Sequence, residues 1–138
     1  MSRVVNSDSP LKKRTGLLEL VSNSVSILDK ENVPETVMND LVAFIILSLT
    51  EIEKTITQTT APWEIREYWV KADQFRSEWK WVSEIKRGLI QSRKANGWVN
   101  IPAEIILLAE KIKMVEPSKS LQGKNFWKGA YSVLYNQN

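Results

Sequence analysis

Apolar positions recur along this chain at three- and four-residue steps, the period of an amphipathic helix. Leu17, Leu18, Val21, Val25 and Leu28 share one face and predict a helix from Pro10 to Lys30, with Ser9 as its N-cap. Val37, Leu41, Phe44, Ile45, Leu49 and Ile52 predict a second, from Pro34 to Ile56. Ile46 and Leu47 widen its stripe almost all round, as in a central, buried helix. The polar run Thr57 to Thr60 then breaks the pattern. Ile65, Tyr68, Ala72, Phe75, Trp79, Val82 and Leu89 predict a long third helix from Pro62 to Lys94, ended by Asn96-Gly97 because Gly adopts the left-handed C-terminal conformation at no steric cost.

A fourth helix is expected from Pro102 to Glu116, with Ile105, Leu108, Ala109, Ile112 and Val115 inward. The loop Pro117 to Asn125 leads to a short last helix anchored by Phe126, Trp127, Ala130, Tyr131 and Leu134. Pro10, Pro34, Pro62 and Pro102 support these starts, since a first-turn proline sacrifices no intrahelical bond. No internal repeat stands out, and Trp98 to Ile101 is the one short extended segment. The expected fold is all-α, a single bundle of four to five helices over residues 1–138, with 1–9 as a flexible tail.

Composition narrows the function. The chain of 138 residues has no His and no Cys but six Trp. Thiol catalysis and Cys-based zinc sites are therefore excluded. There is no Gly-rich nucleotide loop and no Ser-nucleophile motif. The acid pairs Glu51 with Glu53 and Glu64 with Glu67 read as solvent-facing charges rather than a converging metal or acid–base site. The expectation is a non-enzyme with no cofactor and no metal. Met1 to Pro10 lacks the apolar core of a signal peptide, and Leu41 to Leu49 falls far short of the ~20 residues of a membrane span, so a cytoplasmic protein is expected.

Charge is distributed unevenly. Residues 1–60 carry 6 Lys+Arg against 8 Asp+Glu, and residues 61–138 carry 13 against 8. Such a surplus suggests that one face meets an anionic partner. Two groups of cations stand out. Arg76, Lys80, Arg87 and Lys94 fall three, four or seven residues apart on the expected third helix, with Arg66 on the same spacing and Lys86 and Arg93 broadening the row. A row of this kind tracks a phosphate backbone. It is equally the look of a solvated face held by local acid–base pairs. The second group is Lys119, Lys124 and Lys128, among Gly123, Phe126, Trp127 and Tyr131. A Gly-containing basic loop at a helix start can present backbone N–H groups to phosphate, or be a plain solvent loop before a docking helix. Most tryptophans read as core. Trp81, two residues past the seam position Trp79, and Trp127 are the candidates for partner contact.

Three runs add a resemblance. Trp81 to Leu89 (WVSEIKRGL), Gly97 to Pro102 (GWVNIP) and Gly123 to Tyr131 (GKNFWKGAY) resemble the small helical subunit of CRISPR Cascade-type effector complexes, in some systems translated separately as the C-terminal part of the large subunit. The likeness covers the C-terminal part of the chain and leaves the acidic N-terminal half untouched. It implies a noncatalytic bundle. Copies of it would sit inside a crRNA-guided complex, touch its other subunits and steady target or displaced DNA. The basic residues would act through phosphates without reading sequence. The competing expectation is a helical adaptor that binds protein and no nucleic acid, with an apolar patch around Trp81 and Trp127.

Overall fold

The computed structural model describes residues 9–135. Among them there is no strand: six α-helices and one 3-10 turn follow in order. They are α1 (Pro10–Leu28), α2 (Glu35–Ile65), α3 (Trp69–Glu78), α4 (Lys80–Asn96), α5 (Ala103–Lys111), the 3-10 turn Lys119–Leu121, and α6 (Ala130–Tyr135). The tail expected over 1–9 lies, apart from Ser9, outside the described residues.

α2 is the axis of the bundle, and α1, α3, α4 and α6 all pack on it. Leu41, Val42, Ala43, Ile45, Ile46, Leu49 and Ile52 are buried, on almost every side of the helix. Each of the large aliphatics contributes roughly 1.5–3 kcal/mol of transfer free energy. Val21 and Leu28 of α1, Val82, Ile85 and Leu89 of α4, and Ile105, Leu108 and Ile112 on or just beyond α5 complete the core. α1 starts as expected: the Ser9 hydroxyl accepts the Lys12 amide at 3.1 Å.

The polar threonine run does not end α2. Thr55, Thr59 and Thr60 bond back to the carbonyls of Ile52, Thr55 and Ile56, so their hydroxyls are satisfied on the helix's own backbone. The helix continues through Pro62, which therefore starts nothing. It ends instead in a Schellman motif. The Tyr68 amide reaches the Trp63 carbonyl at 2.7 Å, and the Glu67 amide reaches the Glu64 carbonyl at 3.0 Å. Glu67 fills the left-handed position, φ 64°, where glycine is usual.

The long third helix is thus three pieces: the end of α2, α3 and α4. A second break falls at Trp79, whose amide bonds back to Phe75 while Val82 bonds to Trp79. α3 and α4 together run back along α2. Arg76 lies beside Glu64, and further along Lys86 lies beside Glu53. Two of the expected seam residues, Ile65 and Tyr68, lie at the first break and face solvent, 83% and 51% exposed. Gly97 closes α4 with φ 65°, donating to the Arg93 carbonyl at 2.8 Å. The segment after it is a loop, not a strand, and Trp98 is buried there with its indole N–H on the Leu89 carbonyl at 3.1 Å.

Candidate nucleic-acid interface

α4 buries Val82, Ile85 and Leu89. Helical geometry therefore sends Lys80, Arg87 and Lys94, which are seven residues apart, to the opposite side. All three are exposed. Arg87 and Lys94 line a shallow groove of about 400 Å³ with Glu53, Ser83, Lys86, Ile90 and Gln91. Neither has a carboxylate within ion-pair distance among the described residues. Lys80 is tied only loosely, 3.8 Å from Glu84.

The other expected members of the row are engaged. Arg76 holds Asp73 at 2.9 Å and Glu64 at 3.0 Å, which pins the start of the return leg to α2. Its charge is spent locally, as on a solvated face. Lys86 binds Glu53 at 2.7 Å, and Ser83 donates to the same carboxylate. Burial pushes the Glu53 carboxyl up, but these hydrogen bonds outweigh it and hold the group below its ordinary value.

Arg93 also leaves the row. Four residues past Leu89, it falls on the buried side of α4. Its guanidinium carbon lies 3.6 Å from the Tyr135 ring centroid, and its Nε donates to the Tyr131 hydroxyl at 3.0 Å. The same spacing that places Leu89 in the core was the available signal for this role.

Lys119, Lys124 and Lys128 are exposed around the loop that precedes α6. The backbone amides at the start of α6 are occupied, however. The Asp40 carboxylate accepts Gly129 N–H at 3.1 Å and Tyr131 N–H at 3.0 Å. An internal carboxylate takes the amides that a phosphate would need, so these lysines offer side-chain charge without a backbone cradle. The Asp40 carboxylate is 89 residues away in sequence from Gly129, which is why no local motif announced it.

Trp81 and Trp127 are half-buried and packed against the core. Trp81 lies against Trp79 with centroids 5.8 Å apart and the rings tilted by 32°, and the buried indole N–H of Trp127 has no partner among the described residues. Trp69, at the first position of α3, is the one exposed tryptophan, at 53%. On an unbroken helix it reads as core with most of the tryptophans, and the break between α2 and α3 turns it outward.

A different surface runs along α5 and the turn after it. Ile106, Leu107 and Met114 are 72%, 60% and 87% exposed. Beside them an apolar groove of about 590 Å³ lies between α1 and α5, lined by Val25, Leu28, Ile101, Ile105 and Ile112 among others. No helix among the described residues is long and apolar enough to cross a membrane.

The arrangement defines an all-α bundle with a basic outer face on α4 and an apolar outer face on α5. No family model matches the chain, and no characterised protein or solved structure matches it.

Proposed function

We propose that this chain is a noncatalytic helical subunit that binds nucleic acid through phosphate contacts along α4, working in the cytoplasm as the small subunit of a CRISPR Cascade-type effector complex. The observation that carries the nucleic-acid part is the pair Arg87 and Lys94, exposed on one groove with no carboxylate within ion-pair distance among the described residues, with Lys80 a loosely held third member. Cations left unpaired on a helix face are those that release counterions when a phosphate chain arrives. The assignment to that complex rests on the three sequence runs that resemble its small subunit.

With so few cations a single copy binds weakly, and several copies on one strand supply the affinity. Lys119, Lys124 and Lys128 add side-chain charge near α6. The test is direct. Lys80→Glu, Arg87→Glu and Lys94→Glu combined should abolish binding of DNA or RNA at low salt, and the wild-type affinity should fall steeply between about 50 and 200 mM salt. Binding that survives the triple reversal rules out the α4 face.

A second reading, a helical adaptor for protein, is favoured by the α5 surface. Ile106, Leu107 and Met114 beside an apolar groove fit a partner helix better than a phosphate chain. It predicts loss of complex assembly, with nucleic-acid affinity intact, when Leu107 is changed to Lys.

A further inference from the structure

We propose that the elbow between α2 and α3 is a stacking site for an unpaired nucleobase, with Trp69 and Tyr68 as the ring platform and Arg66 and Lys71 as flanking cations. The inference rests on the reading of α4 as a polyanion-binding face and deepens it: the strand held there is single.

The elbow exposes aromatic rings, which the rest of the described fold buries or half-buries. Ile65, Tyr68, Trp69 and Val70 are 83%, 51%, 53% and 70% exposed, whereas every other tryptophan is buried or half-buried. The fold accepts a non-glycine residue at φ 64° to make this turn, so the aromatic pair is presented by a strained backbone. Glu67, Tyr68, Trp69, Val70 and Lys71 line a shallow depression of about 440 Å³, with room for a base and its sugar.

The charge pattern selects the occupant. Arg66 is exposed with no carboxylate within ion-pair distance among the described residues. Lys71 is exposed, with its ammonium 4.4 Å from the Trp63 ring centroid. Glu67 is the one acid in the turn, since Glu64 is occupied by Arg76. Flat rings flanked in sequence by cations suit a base and its phosphates, and stacking tolerates any base because each has a π-face. A purely apolar partner helix gains nothing from the two cations. Placement agrees as well. α3 leads from the elbow towards Lys80, so the platform stands at one end of the row Lys80, Arg87, Lys94. The ten residues of α3, about 15 Å of helix, and the break at Trp79 lie between the start of the platform and Lys80.

The experiment is an anisotropy titration of the full chain with labelled oligothymidylate of about 16 nucleotides, the upper range of single-strand site sizes, and with the same backbone made abasic. Wild type should prefer the base-bearing strand by roughly 5- to 150-fold. Trp69→Ala should erase that preference and leave abasic affinity unchanged, and Trp69→Phe should keep part of it. If Trp69→Ala binds oligothymidylate as wild type does, or weakens both ligands equally, the stacking site is overturned; the first result would give the elbow to a protein partner. These outcomes are separate from failure of the α4 reading. In that case wild type binds neither ligand, or the Lys80, Arg87, Lys94 reversal binds both normally.

Discussion

The Arg14 guanidinium donates to the Thr55 hydroxyl at 3.2 Å, and this contact joins α1 to α2 across 41 residues of sequence. Arg14 is 4% exposed and has no carboxylate partner among the described residues. Thr59 accepts a second bond at 3.3 Å, and the rings of Phe75 and Trp79 lie 5.0 and 5.1 Å from the guanidinium carbon. Arg14 thus holds the Phe75–Trp79 end of α3 against the bundle. Arg14→Ala should cost about 2–4 kcal/mol, combining the cavity with lost cation–π contacts. Arg14→Met keeps the volume and removes the buried charge, so it should cost about 1 kcal/mol. Urea denaturation of the two variants checks the order.

The Glu53 carboxyl is held below its ordinary value in the folded chain. A lowered folded value means that its stabilisation is complete above the unfolded value, 4.5, and is lost as pH falls through the folded one. Wild type should therefore lose stability below about pH 4.5 more steeply than Glu53→Gln. At neutral pH the same variant frees Lys86 beside Arg87 and Lys94, and nucleic-acid affinity should rise by about two- to tenfold, reflecting one more available cation. Urea midpoints between pH 6 and pH 3, and one binding titration at pH 7, check both halves.

Asp40 fastens the last helix through two amides. Asp40→Asn keeps one acceptor oxygen and loses the charge, so it should cost about 1.5–3 kcal/mol. Hydrogen exchange at Gly129 and Tyr131 should accelerate ahead of exchange in α2. Equal protection of those amides in both proteins would contradict the anchoring role.

Glu67 occupies a left-handed position that suits glycine. Glu67→Gly should raise stability by about 1 kcal/mol, because the side chain's clash with its own carbonyl disappears. Thermal unfolding with an unchanged helical signal checks it.

The all-α class and the burial of α2 were legible in the sequence because periodicity reports burial directly: Leu41, Ile45, Leu49 and Ile52 repeat on the turn of a helix. The start at Ser9 and the stop at Gly97 were legible because each is a local chemical device. Boundaries failed where a device was disguised. The threonines looked like a linker because their hydroxyls gave no sign of folding back on the helix. The true stop at Glu67 carries no glycine, so it left no mark in the composition. Within the basic row, Arg87 and Lys94 were placed correctly on the exposed face. The ties of Arg76 to Glu64 and of Lys86 to Glu53 depend on α3 and α4 folding back along α2, a long-range fact that spacing cannot express.

The seven-residue spacing of Lys80, Arg87 and Lys94 has a geometric consequence. Seven residues fall short of two full helical turns by about 20°, while each step climbs about 10.5 Å. The three positive charges do not form a straight rail. They descend around α4 as a shallow left-handed spiral, so an anionic chain lying on all three is forced to bend, and neighbouring copies would have to be rotated to continue the same curve.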